Sequence, residues 1–311
     1  MTSTLLDRDR FTLTADDGQH IALQRQRPQG RALADVVYVH GATFGADLSV
    51  YYAFDGRSWA DELAEVGMAV WGFDFVGYGA SSRYPANGDK PAGDIDAALQ
   101  DLRRVVRAIR ERNGDRPLVL LAHSRGGAVA ARYAAEFADD VLALVLFAPI
   151  VVRAAAAAAS VAAAGPVASH QLVRGWAQYR RFIEDVPRGE PQVLSEAHMH
   201  EWAQAYLASD AASGTRRPPS VMVPAGPWAD VRALWSGQAL YEPARIVAPT
   251  LLVRGQWDAS CDDDAAQLMS RLAARIRRDV KIDRATHLMH LEQRRRELHA
   301  QVNRFLLDLP R

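Results

Sequence analysis

The chain is predicted to fold as an α/β protein: a doubly wound, mostly parallel sheet interrupted by one long helical insertion. Three observations carry that prediction. Short apolar runs of strand length alternate with amphipathic helical patterns on both sides of the insertion, as βαβ units require. Two of those runs, 118–121 and residues 36–39 within the strand at 35–40, are apolar throughout, as strands covered on both faces must be. Between Pro149 and Pro249 the alternation stops, and about a hundred residues without strand signals are too many for a connecting loop.

Residues 11–14 and 21–26 flank the turn dipeptide Asp17-Gly18 and read as a hairpin that supplies an antiparallel edge. Residues 35–40 follow as a buried strand, 58–66 as an amphipathic helix and 69–74 as a strand again. Over 94–112 the helical spacing puts Ile95, Leu99, Leu102, Val106 and Ile109 on one face. The strand at 118–121 runs through a tight turn into a helix over 128–135, and a strand at 141–147 comes next. Beyond the insertion are a strand at 250–254, a helix at 265–276, a strand at 280–282 and a closing helix at 295–307. This reading assigns residues 1–150 and 246–311 to the core and 151–245 to a helical cap or lid. The cap opens on an alanine-rich helix at 154–164, breaks at Gly165-Pro166, continues in helices carrying Trp176, Tyr179, Phe182, Trp202 and Tyr206, and ends in a proline-rich loop at 218–227. Those aromatics either line a pocket or fill the cap's own core, and the second is the default for most of them.

Composition narrows the function classes. The 311 residues are 49% hydrophobic and 24% charged, which suits a globular chain with a full core. Lysine plus arginine balances aspartate plus glutamate at 37 each, so there is no electrostatic footprint for nucleic acid or an anionic membrane. The expected partner is a neutral small molecule or another protein. The single cysteine, Cys261, excludes an intramolecular disulfide and reads as a packing or helix-start residue. Residues 1–10 carry no long apolar segment, and 154–164 is too short and too weakly apolar to cross a bilayer. The expectation is a soluble, cytoplasmic protein. Oligomeric state stays open, a homodimer among the options. No metal-ligand spacing appears, and Gly77-Tyr-Gly79 lacks the remaining glycine of a dinucleotide site, so no cofactor is expected.

The chemistry is expected at Ser124. A serine in a tight turn between a buried strand and a helix projects its hydroxyl off the sheet, beside backbone N–H groups at the positive end of a helix dipole. Such a turn needs small residues two before and two after the serine, here Ala122 and Gly126. A serine hydroxyl is a weak nucleophile, so it needs a base, and the base needs a partner that fixes its tautomer. Of nine histidines, His287 sits in the right place, after the strand at 280–282 and before the last helix. His290 is its rival, or a supporting or helix-capping residue. The carboxylate is expected at the end of the strand at 250–254, where Gly255-Gln-Trp-Asp258 offers Asp258. Asp262, Asp263 and Asp264 are rivals better explained as negative charge at a helix start.

With these residues in hand, the chain resembles the α/β-hydrolase family over nearly its whole length. The resemblance rests on His40-Gly41-Ala42, the loop from Asp74 to Ser81, the elbow Ala122-His-Ser124-Arg-Gly126-Gly127, Gly255-Gln-Trp-Asp258, Thr286-His287, and the chain order Ser, Asp, His. It implies that the Ala42 and Arg125 amides form an oxyanion hole and that the loop after Asp74 is structural. The elbow departs from the common pattern at Ala122, in place of glycine, and at Arg125, in place of an uncharged residue. Arg125 is expected to pair with an internal carboxylate, an acidic substrate group being the alternative. A serine nucleophile argues against the dehalogenase and epoxide hydrolase branches. Hydrolysis of a carboxylic ester, thioester or lactone through an acyl-enzyme ranks first, since it needs only these parts. Carbon-carbon bond hydrolysis, acyl transfer, cyanohydrin cleavage, a receptor that keeps the triad as a ligand pocket, and a scaffold that dimerises through the cap are the alternatives.

Overall fold

The computed structural model describes residues 8–15, 17–153, 168–261 and 263–309. The alanine-rich segment at 154–164, the Gly165-Pro166 break and Asp262 lie outside the described residues. Eight strands form one sheet: β1 (Arg8–Thr14), β2 (His20–Gln26), β3 (Ala34–Val39), β4 (Met68–Phe73), β5 (Leu118–His123), β6 (Ala143–Phe147), β9 (Thr250–Gly255) and β10 (Arg277–Ile282). Their order is β1-β2-β4-β3-β5-β6-β9-β10. The β1/β2 hairpin is antiparallel and also meets β4 antiparallel, while every pairing from β4 onward is parallel.

Pleating sends alternate residues of each strand to opposite faces, so two cores form. Val37, Val39, Leu120 and Ala122 pack with α2 (Ile95–Asn113) and α3 (Arg125–Glu136) on one face. Val36, Tyr38, Val119 and Leu121 pack on the other with α1 (Trp59–Glu65) and α8 (Arg295–Leu307). Residues that close these helices are local and chemical. Ser58 and Asp61 make a reciprocal capping box for α1, and the Asp94 side chain accepts the Ala97 N–H to cap α2.

Between β6 and β9 lie α4 (Gly175–Arg181), α5 (Glu196–Ala208) and α6 (Gly226–Trp235), but this segment is not helical throughout. His170–Arg174 (β7) and Ser220–Pro224 (β8) pair antiparallel as a separate two-stranded sheet. The proline-rich loop expected at 218–227 therefore holds a strand. Phe182, Trp202 and Tyr206 are fully buried, and Trp202 reaches down to the core, where its indole N–H donates to the Leu48 carbonyl at 2.9 Å and its ring meets Phe44 at 5.0 Å.

The helix expected at 265–276 is α7 (Asp263–Arg271) and stops five residues sooner. Arg277 explains the stop, because its guanidinium donates to the Met269 and Leu272 carbonyls, both at 3.2 Å, and so takes up acceptors that the helix end leaves open. Arg277 also begins β10, three residues before the expected start, its charged exposed residues being those of an edge strand. Among the described residues no helix is long and apolar enough to cross a membrane.

Candidate active site

Ser124 joins β5 to α3 with φ 54° and ψ −128°, a left-handed conformation that costs a side-chain-bearing residue of order 1–3 kcal/mol. The turn is held by its surroundings. Ser124 N–H donates to the Phe147 carbonyl at 3.3 Å, and the Ser124 carbonyl accepts from Gly127 at 2.9 Å and Ile150 at 3.2 Å. Gly126 is required by close approach: a Cβ there would stand 2.5 Å from the Val39 carbonyl oxygen and nearer still to that of His40. The helix starts at Arg125, three residues before the sequence pattern places it.

The structure brings Ser124, His287 and Asp258 together from three separate strand ends. Ser124 Oγ lies 2.8 Å from His287 Nε2, and His287 Nδ1 lies 3.1 and 3.0 Å from the two Asp258 carboxylate oxygens. A carboxylate can only accept, so Nδ1 carries the proton and Nε2 is left to accept the serine hydroxyl. Burial raises the Asp258 carboxyl, but the facing His287 ring and the Ser260 N–H at 2.9 Å outweigh it and hold it below the usual carboxylate range. The rival His290 does not reach the serine. Its ring packs 4.5 Å from that of His123 and 5.2 Å from that of Phe147, and burial keeps it neutral by lowering its pKa well below the ordinary value. The helix that follows begins beyond it, with Arg294 at its N-cap.

Four side chains beyond these three support the site: His40, His123 and Tyr78 lie within motifs noted in the sequence, and Glu292 carries no sequence signal of its own. His123 Nε2 donates to the His287 carbonyl at 3.0 Å, which clasps the histidine loop to the end of β5. Glu292, 1% exposed, accepts from the Thr286 N–H at 3.1 Å and from the Thr286 hydroxyl, fixing the residue before His287. His40 Nδ1 donates to the Gly41 carbonyl at 2.8 Å while its Nε2 accepts the Phe75 N–H at 3.0 Å. In a trans peptide the Ala42 N–H then points away from that ring. Tyr78 donates to the Ala42 carbonyl at 2.6 Å and fixes the next peptide. The Arg125 N–H is in the first helical turn, where no intrahelical acceptor exists. Its side chain pairs with Asp230, on α6, at 2.5 Å, so the internal carboxylate expected for it is real and lies in the insertion.

The loop after Asp74 is tied down internally. The Asp74 carboxylate accepts from Ala46 at 2.9 Å and Ala80 at 3.1 Å, and burial pushes it up to about 6. Cys261 is buried. No group of three or more histidine, cysteine, aspartate or glutamate residues is arranged to hold a metal among the described residues.

Ser124 and His287 open into a cavity of about 530 Å³, within the ~300–1,000 Å³ range of small-molecule sites. Phe44, Ile150, Trp176, Trp228, Val231 and Trp235 give it an apolar wall. Of the aromatics between 149 and 249 weighed from the sequence, Trp176 thus lines the cavity, whereas Phe182, Trp202 and Tyr206 are buried in one apolar cluster with Phe44 and the residues of the sheet.

Comparison with known proteins bears on the family and the fold. The mouse (Mus musculus) monoglyceride lipase is 31% identical over 140 residues, and the rat (Rattus norvegicus) enzyme 29% over the same length. Each match covers 43% of this chain and 41% of the rodent protein, so the chain spans less than half the length of these relatives. A soluble variant of the Saccharomyces cerevisiae monoglyceride lipase, solved with a substrate analogue, superposes with a TM-score of 0.72 over 100% of this chain and 98% of that one, at 16% identity. A bacterial membrane phospholipase A superposes with a TM-score of 0.67 over 97% and 86%, at 20% identity. These structures share the fold. The family model described as "Serine aminopeptidase, S33" matches residues 31–294, and on that match the chain belongs to this family of α/β-hydrolase enzymes.

Proposed function

We propose that the protein is a serine esterase that cleaves a carboxylic ester, thioester or lactone of a small molecule through an acyl-enzyme intermediate. The observation that carries this reading is the Ser124 hydroxyl at 2.8 Å from a histidine nitrogen whose other nitrogen faces a buried carboxylate. His287 takes the hydroxyl proton as Ser124 attacks the acyl carbon, and Asp258 stabilises the imidazolium that forms. The Ala42 and Arg125 amides receive the oxyanion. His287 then returns the proton to the leaving alcohol or thiol, and water, activated by the same base, hydrolyses the acyl-enzyme.

An ester suits the cavity better than a peptide with a free N-terminus. Binding a terminal ammonium calls for an unengaged acid, and among the described lining residues Glu184 is the one acidic side chain. It is already held by Arg181 at 2.5 Å and Arg180 at 3.5 Å. The apolar wall favours an aliphatic or aryl acyl group, and the likeness to monoglyceride lipases supports monoacyl esters of small alcohols as first substrates. The test is turnover of p-nitrophenyl esters of graded chain length, acyl thioesters and lactones. Ser124→Ala should reduce each to background; a Ser124→Ala protein with wild-type rates would overturn the assignment.

A further inference from the structure

Arg125 occupies the position next to the nucleophile, and its side chain is the only guanidinium described within the elbow. That guanidinium is 2% exposed and its partner Asp230 6% exposed. Arg125 Nε and Nη2 donate to one oxygen of Asp230, at 2.8 and 2.5 Å, and Nη2 also donates to the Gly93 carbonyl at 2.9 Å. The other Asp230 oxygen accepts the Ile95 N–H at 3.1 Å, at the start of α2. One carboxylate of α6 therefore grips the first residue of α3 and the first residue of α2 together.

The rest of α6 gives this contact its meaning. Gly226, its first residue, donates to the Ala92 carbonyl at 2.7 Å, and a Cβ at 226 would collide with the backbone of residues 92–94. The helix is thus seated directly on the loop that leads into α2. Trp228, Val231 and Trp235, at spacings of three and four, line the cavity. Residue 230 is turned by about 200° from 228 on a helical wheel and faces the elbow instead. One short helix contacts both the substrate cavity and the residue that carries the expected oxyanion amide.

We propose that Asp230 is a positioning residue for the reaction: by fixing the Arg125 side chain it sets the direction of the Arg125 N–H and makes the oxyanion hole depend on the seating of α6. This rests on the reading of Ser124 and the Arg125 amide given above. In setting the Arg125 amide the two residues act through one shared contact, so losing both lowers kcat no further than losing either. The unit touches neither the nucleophile nor the acyl group, so its effect falls on transition-state binding and not on substrate affinity.

The test is a double-mutant cycle of Asp230→Asn and Arg125→Met. Each protein is first titrated with a fluorophosphonate, which counts reactive Ser124, and rates are expressed per labelled site. The expected result is complete labelling, at least a tenfold fall in kcat on p-nitrophenyl butyrate with KM within threefold, and an equal fall in affinity for an alkyl boronic acid, whose tetrahedral adduct occupies the oxyanion hole. The double variant should fall no further than either single variant. A purely structural role would lower Tm and leave kcat and boronate affinity per labelled site within twofold, and that outcome overturns the proposal, as do multiplying effects in the double variant. Should Asp230→Asn not fold, Arg125→Lys, which keeps the charge but loses the two-pronged contact, is read by the same two measurements. Failure of wild-type Ser124 to label would instead strike the parent reading.

Discussion

Glu292 gives a prediction whose size follows from the structure. Its carboxyl is 1% exposed and is placed to accept hydrogen bonds from Thr286, the neighbour of His287. Burial pushes it from an ordinary value of 4.5 up to about 7; the Thr286 bonds pull the other way but do not prevail. Below pH 4.5 the group is protonated in the folded and unfolded chains alike. Between 4.5 and about 7 the folded chain keeps the proton that the unfolded chain has lost, so rising pH favours unfolding. Above that range both are ionised and the loss is complete. At ~1.36 kcal/mol per pH unit, the interval from 4.5 to 7 amounts to about 3 kcal/mol of stability. Glu292→Gln keeps the shape and an acceptor oxygen but removes the titration. Asp74 and Asp101, both raised by burial to about 6, add slopes of the same sign that are common to both proteins and cancel in the difference. Urea unfolding followed by tryptophan fluorescence at pH 4.5 and pH 8 should show the difference between variant and wild type moving by about 3 kcal/mol in favour of glutamine at the higher pH. Parallel stability curves, or a wild type that gains relative to the variant as pH rises, would refute the reasoning.

Three further substitutions probe the site. Asp258→Asn leaves the packing in place but permits the wrong His287 tautomer, and kcat should fall by ~10⁴-fold in steady-state ester hydrolysis. Gly126→Ala forces a Cβ against two backbone carbonyls that cannot retreat, so it should destabilise the fold by ~1–3 kcal/mol and cut kcat; calorimetry and ester turnover read the two effects, and a wild-type Tm would sink the close-packing argument. Tyr78→Phe removes the hydroxyl that holds the Ala42 carbonyl, and kcat should drop ~2–10-fold, the worth of one neutral hydrogen bond, with KM unchanged.

Most of the sheet was readable because its strands are buried on both faces and leave uninterrupted apolar runs, and α8 has the bounds that its periodicity predicts. Ser124, Asp258 and His287, which the structure brings together, were readable because each follows a strand by zero to four residues, in the order Ser, Asp, His. Other features left no such trace. Residues 220–224 are bracketed by prolines, and 170–174 pair only with them, so a strand pair inside the insertion looked like loop and helix. The polar start of β10 hides an edge strand behind the charges that protect it. Arg125 announced a need for a carboxylate, but its partner is 105 residues away on an element whose docking no local pattern specifies. Tyr78 acts on a backbone carbonyl and Glu292 on the N–H and hydroxyl of one threonine, contacts that no local spacing announces, so sequence alone could not single them out.

In the proposed reaction a bond between Ser124 and an acyl group lies on the path. Intact-protein mass measured after mixing with a p-nitrophenyl ester and quenching in acid tests it most directly. One acyl group should be added per chain, on the peptide containing Ser124, decaying at the rate of turnover and missing from Ser124→Ala. Turnover with the acyl group on another residue, or a Ser124→Ala protein that acylates and turns over like the wild type, would contradict it.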